Sequence, residues 1–440
     1  MKSVPIKPRE KDAILQALGA GVVPKQGLSH VQVGRAREVK ALLGDIERIA
    51  QGGAAFRLIV GSYGSGKTFF LHLVRLVAME KGLLVVNADL GPDRRLHATD
   101  GKAQSLYNEL MRNLSTRTRP GGGALPSVME KFLQESQNKA QQTGRPVVEV
   151  VRERLGTLEE LVDGFDFASV LNIYRQAAIQ DDENKKNAAI RWMRGEWSTR
   201  TEAKQALGVR SIINDAGFYD YLKLMGQFAV LAGYKGLLVV LDEMVNLFKL
   251  QSAKARTANY EQILRILNDV LQGNTSHIGF VLGGTPEFLM DSRRGLYSYV
   301  AMQSRLAENQ YMQDGLIDMS GPVLRLAALT PEEILVLLEK IRHIFAVGDP
   351  ERYLVPDRAL TGFMDYCAKK IGEAYFRTPR TTIKAWVNFL AILEQNPGTS
   401  WEDILGQGQV TIQADSLDEN SASNPGERGE DDDDLATFRI

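Results

Sequence analysis

The chain has a single cysteine, Cys367, among its 440 residues. That excludes an internal disulfide and any zinc site built on cysteines, and Cys367 itself, within the helical-looking stretch 360–370, reads as a small core residue. No apolar run approaches the roughly 18 residues needed to span a bilayer. The start, Met1-Lys2-Ser3-Val4-Pro5, has no apolar segment of the kind that marks a secretory leader, so a cytoplasmic protein is expected. There is no evident internal repeat, helix-turn-helix, zinc finger or aromatic-interleaved basic patch, and sequence-specific nucleic-acid recognition is not expected here. The net charge of −1 hides an asymmetry: residues 411–440 hold nine acidic side chains against Arg428 and Arg439, which leaves the rest at +6. A mild positive balance permits a nucleic-acid surface without demanding one.

What is present is ordinary globular composition, 44% hydrophobic and 24% charged, in a chain long enough for more than one domain. Five near-continuous apolar runs, 56–60, 83–88, 237–241, 278–283 and 323–326, have the character of buried parallel strands. Arg57 and Arg325 interrupt the first and the last. Helical periodicity fills the spaces between most of them, as where Ile263, Ile266, Leu267, Val270 and Leu271 fall on one face. The alternation predicts a three-layer α/β domain around a five-stranded parallel sheet.

About 150 residues separate the second strand from the third, far beyond an ordinary connection, which predicts a large helical insertion over about 91–235. Within it, 117–123 reads as a flexible loop and Thr157-Leu158-Glu159-Glu160 as a helix-starting capping box. Thr330-Pro331-Glu332-Glu333 is a second helix start, with threonine as N-cap and proline at the first helical position. It opens a helical lid over 328–396, in which Ile383, Trp386, Val387 and Leu390 share a face. The expected organisation is an N-terminal extension (1–27), a core (28–327), the lid, and a linker with an acidic tail (397–440), polar enough from about 411 to be disordered.

The chemistry concentrates at Gly61-Ser62-Tyr63-Gly64-Ser65-Gly66-Lys67-Thr68, a match to G-x-x-x-x-G-K-[ST]. A strand runs into it, and Phe69 and the residues after it continue as a helix. Its backbone N–H groups therefore face a polyphosphate at a helix amino end. Lys67 is placed to reach the β and γ phosphates of ATP, and the Thr68 hydroxyl to ligate Mg²⁺. The third run ends in Asp242-Glu243. Asp242 is expected in the metal shell and Glu243 as the base that orients and deprotonates the attacking water.

These residues resemble the AAA+ ATPases, in the branch of origin-recognition initiators and transposition regulators, over about 28–395. Val33-Gly34-Arg35 followed by Glu38 is similar to that branch's N-terminal box, which implies that Gly34 and Arg35 border the adenine. Gly283-Gly284-Thr285 resembles sensor 1 and implies Thr285 near the γ-phosphate. Gln303-Ser304-Arg305-Leu306 resembles the box whose arginine reaches a neighbouring subunit's nucleotide, with Arg293 and Arg294 as competitors for that role. Arg380 in Thr378-Pro379-Arg380 resembles sensor 2. Each arginine also has a plainer reading as a surface or ion-pair residue.

A narrower resemblance rests on Gly61 to Phe70, on Arg191-Trp192-Met193-Arg194-Gly195-Glu196 and on Gly236 to Glu243. It is to the P-loop ATPases of bacterial phage-defence islands, those of bacteriophage-exclusion (BREX) systems and of tellurite-resistance-associated operons. The resemblance implies an ATP-driven role in DNA-directed immunity beside a helicase-like, nuclease-like or DNA-modifying partner. With Arg305 acting on a neighbour, the expected protein is a homo-oligomer that loads or regulates a DNA-acting partner; a nucleotide-dependent scaffold with slow turnover, recruiting partners through its tail, is the alternative. For Trp192 to Glu196 an ordinary helix end stopped by Gly195 is the other reading. Leu435, Phe438 and Ile440, beyond the aspartate run, suggest a docking segment for a partner, with a merely solubilising tail or an autoregulatory one as alternatives. Arg94, Arg95, Arg112, Arg117, Arg119, Lys369 and Lys370 are the candidates for DNA phosphate contacts.

Overall fold

The computed structural model describes residues 6–309, 311, 318–371 and 379–406. The tail residues Leu435, Phe438 and Ile440 lie outside them. Five strands, β1 (Ala54–Val60), β2 (Leu84–Asp89), β3 (Leu237–Asp242), β4 (Ile278–Gly284) and β5 (Val323–Arg325), form one all-parallel sheet in the order β2-β3-β4-β1-β5. β1, β3 and β4 are buried along their whole length, which is why their sequences are apolar without alternation.

The two arginines in the strand runs are accommodated differently. Arg57 is buried, and its guanidinium donates to both carboxylate oxygens of Asp45 at 2.5 and 3.1 Å and to the Gly321 carbonyl. A two-pronged ion pair of that kind is what allows a cation inside a strand. Arg325 lies on the edge strand β5, exposed, and donates to Glu308 and to the Met290 sulfur. At the opposite edge Ser115 bridges Val85 of β2 in antiparallel fashion, covering backbone groups that an open edge would present.

One face of the sheet carries helices Ala36–Ala50 and Lys67–Glu80, packed through Ile46, Ile49, Phe70 and Val74 against Ile59 and Val240. The other face is covered by helices Ala253–Gln272, Lys102–Arg112 and Phe218–Leu231, and the other five helices between β2 and β3 pack outside these. Their side chains merge with Phe56, Leu58, Val239 and Leu282 into one continuous core, centred on aromatic contacts such as Trp192 against Tyr221 and Phe167. The insertion is thus a thick second layer on the sheet.

Three local expectations are corrected. Thr157 does not start a helix: it lies in the last turn of helix Val147–Glu159, whose buried stripe Val150, Val151, Leu155 and Leu158 runs straight through it, and its hydroxyl donates to the Arg154 carbonyl at 2.8 Å. The stretch 117–123 is a hydrogen-bonded turn, closed by Arg119 N–H to the Thr116 carbonyl at 3.0 Å and Gly123 N–H to the Arg112 carbonyl at 2.8 Å. Leu271, at the end of its helix, is 61% exposed while Ile263, Ile266 and Leu267 are buried.

Past β5, Thr330 caps helix Pro331–Phe345 in a full capping box with Glu333. Helices Asp357–Ile371, Pro379–Gln395 and Trp401–Gly406 complete a second core around Trp386, which packs on Phe363 and Phe389. The first helix, Pro8–Gly19, puts Ile14 and Leu18 into this same core, so the two ends of the described chain pack together. Cys367 is buried there, and burial pushes its thiol up to about 12. No helix among the described residues is long and apolar enough to cross a membrane.

Candidate nucleotide site

β1 delivers the chain to the glycine loop, and helix Lys67–Glu80 takes it away. Gly64 (φ 76°) and Gly66 (φ 86°) hold left-handed conformations that side chains resist, which turns the loop back on itself. At Gly61 an added Cβ would lie 2.5 Å from the Ser65 hydroxyl. The Lys67 ammonium donates to the Gly61 carbonyl at 3.0 Å, so it lies across the loop. The Ser65 hydroxyl is buried with no hydrogen-bond partner. An unpaired buried donor, an ammonium and a helix amino end within one loop fit the oxygens of a polyphosphate.

The tips of the neighbouring strands supply the acids. Asp242, at the end of β3, accepts from the Thr68 hydroxyl at 2.9 Å and from the Glu243 N–H at 2.8 Å. At Gly283, a Cβ would come within 2.4 Å of that same carboxylate, so β4 must be bare there. Glu243 adopts φ 58°, a left-handed conformation costing a side-chain residue roughly 1–2 kcal/mol, which is held by the surrounding structure. Asp89 at the end of β2 stands in register with Asp242. Although Glu243 and Asp89 keep open surface toward the solvent, partial removal from water and then the Asp242 charge raise both carboxyls above their usual range. Burial lowers the Lys67 ammonium, against the opposing pull of Asp242, Glu243 and Glu287. Asp89 and Glu287 went unmarked in the sequence, yet Asp89 ends an apolar run just as Asp242 does, and that parallel was a readable signal.

A cavity of about 390 Å³ opens over the loop. Its floor is Tyr63 to Phe70 with Glu243, and Val22, Val31, Leu337 and Ile383 wall it from the other side. Arg35 lines it too: its guanidinium donates to the Ser65 carbonyl at 3.1 Å and lies 3.7 Å from Glu38. Gly34 (φ 63°) must lack a side chain, since a Cβ would sit 2.3 Å from a Glu333 carboxylate oxygen at the start of helix Pro331–Phe345. Arg380 reaches the cavity mouth and donates to the Tyr63 hydroxyl at 2.8 Å. Phe69 lies against the C-terminal core, joining the loop helix to it.

Other expected residues stand elsewhere. Thr285 tips β4 and caps helix Pro286–Met290, its hydroxyl oxygen accepting from the Phe288 N–H at 3.3 Å, and it is not among the cavity-lining residues. Arg305, exposed on helix Val300–Leu306, donates to Asn268 at 2.6 Å and to the Ala301 carbonyl at 2.9 Å, away from the cavity of its own chain. Arg294 folds back to the Leu250 carbonyl at 3.1 Å, whereas Arg293 is exposed. Among the basic candidates, Arg94, Arg112 and Arg117 pair with Glu109, Glu196 and Glu80. Trp192 is buried, with its indole N–H on the Ser211 carbonyl at 2.9 Å, and Gly195 (φ 71°) closes the helix end. That segment belongs to the insertion core.

The model of a family described as BREX system ATP-binding protein BrxC/D matches residues 6–409. No curated protein matches the chain.

Proposed function

The chain belongs to the BREX system ATP-binding protein BrxC/D family, and on that premise we propose that it hydrolyses ATP with Mg²⁺, as an oligomer that regulates or loads a DNA-acting partner. One observation supports the hydrolytic reading above others: Thr68 is bonded to Asp242, with the Lys67 ammonium and the Glu243 carboxylate as near neighbours. In this reading the loop N–H groups and Lys67 bind the β and γ phosphates and meet charge as it develops. Thr68 and Asp242 are the residues that would hold Mg²⁺, which when bound supplies positive charge to the same oxygens. Glu243 takes a proton from water as the water oxygen bonds to the γ phosphorus. The bond to the bridging oxygen breaks, and ADP and phosphate leave. A carboxyl raised above its usual range is a better base than a free one.

Thr285 lies outside the cavity lining, and only its hydroxyl hydrogen, left free to donate, suits a role beside the γ-phosphate. Arg305 suits a neighbour's site, being exposed and remote from its own. The walling of the cavity by both ends of the described chain favours a second reading, a slow nucleotide-dependent switch that recruits partners. A single set of rates separates these readings: wild type, Glu243→Gln, Arg305→Ala, and the two variants mixed. Glu243→Gln should keep ATP affinity and lose about 10²-fold or more in turnover. The mixture should regain turnover, because Glu243→Gln subunits still carry the arginine that Arg305→Ala subunits lack. Equal rates for wild type and Glu243→Gln would leave only the switch; no recovery on mixing would remove the shared site. A rate indifferent to added duplex DNA would count against a DNA-coupled role.

A further inference from the structure

Tyr63, the third residue of the phosphate loop, is 55% exposed, an unusual use of a large aromatic ring. Its hydroxyl accepts from Arg380 at 2.8 Å, and the guanidinium carbon stands 6.0 Å from the ring centroid, at the limit of a cation–π contact. The opposite side of Arg380 is met by Gly21 (φ 72°), where a Cβ would come within 2.9 Å of the arginine Nε. Three segments remote in sequence, the first helix's exit, the phosphate loop and the start of helix Pro379–Gln395, thus close on one guanidinium at the cavity mouth. Among the described residues no carboxylate pairs with Arg380.

We infer that Tyr63 is a positioning residue: its hydroxyl holds the Arg380 guanidinium at the cavity mouth, oriented to meet the terminal phosphate of ATP. A long arginine side chain without an anchor spreads over many rotamers, and a phenol narrows them without competing strongly, because it is neutral. Tyr63 engages one guanidinium nitrogen, Nη1, which leaves the others to meet the anionic oxygens of a terminal phosphate while the phenol bond is kept. Gly21 leaves the space in which the arginine turns. The device also joins the lid to the loop before nucleotide enters. It rests on the reading of Arg380 as a partner of the terminal phosphate, the role that its resemblance to sensor 2 implies.

The experiment compares the affinities of ADP and of a non-hydrolysable ATP analogue for the full chain, so it does not depend on turnover. Wild type, Tyr63→Phe, Arg380→Ala and the double variant are measured. Arg380→Ala should reduce the preference for the analogue about tenfold, and Tyr63→Phe about three- to fivefold, as expected for restoring part of the rotamer freedom that the arginine must then lose on binding. The double variant should equal Arg380→Ala alone, and ADP affinity should stay within about twofold throughout. Three results would overturn the inference: Tyr63→Phe indistinguishable from wild type, effects of the two changes that multiply, or ADP and analogue weakened alike. If Arg380→Ala keeps the full preference, the reading of Arg380 fails, and the role of Tyr63 falls with it.

Discussion

On one side of the cavity Lys67 and Thr68 open the loop helix and Asp242 and Glu243 stand at the tip of β3, with Asp242 tied by hydrogen bonds to Thr68 and to the Glu243 backbone. On the other side Val22, Val31, Leu337 and Ile383 arrive from the two ends of the described chain and present hydrocarbon. The first wall is set by strand register: Asp89, Asp242 and the Gly283 gap are placed by parallel pairing, which leaves little freedom. The second is set by apolar packing between helices, tied to the first through few polar contacts, Arg35 to Ser65 and Arg380 to Tyr63. A wall fixed by register suits chemistry that needs exact placement of charge. A wall held by packing and two arginines suits holding the ligand and reporting its presence, since its elements can move as units.

The sharpest test of that division is Lys67→Ala. It removes the ammonium that crosses the loop, and ATP affinity should fall by about 100-fold or more. Calorimetric titration showing unchanged affinity would mean that the sheet wall does not hold the phosphates. A smaller effect is expected from Ile383→Ala on the lid wall: roughly five- to tenfold weaker ATP binding, from lost apolar contact. Turnover at saturation should be retained; a loss of kcat at unchanged KM would break the comparison by giving the lid wall a chemical role. The mildest effect concerns His72, on the loop helix. Burial first, then the Arg75 and Lys25 charges, depress its pKa to about 4. The unfolded chain, with an ordinary imidazole near 6.5, takes the proton first, so stability is lost as pH falls from there toward 4. His72→Asn should flatten the fall in Tm over that window, and an unaltered slope would show that His72 carries no linkage.

Much of the sheet wall was legible because its signals are local. A strand, a glycine loop and a helix follow one another within a short stretch, and Asp242-Glu243 ends an apolar run. The Thr330 capping box was legible for the same reason. Local reading failed where tertiary context chose between equally good local patterns. Thr157 and its following acids look like a helix start, but the buried stripe from Val150 to Leu158 had already committed that stretch to the preceding helix. Arg57 weakened the case for β1 until Asp45 from another element balanced it.

By itself, then, the sequence determined the phosphate loop, the acids of β3, the five strands and the existence of a large helical insertion. The first three follow from spacing within a few residues, where backbone geometry and side-chain period leave little choice, and the insertion follows from the length of chain between two strands. Only the tertiary structure decided that the first helix would pack with the last ones, that Asp89 would stand beside Asp242, and that Tyr63 would meet Arg380. Those meetings come from burying apolar faces and pairing strands between segments far apart in the chain. That driving force depends on the area removed from water and carries no mark in local spacing.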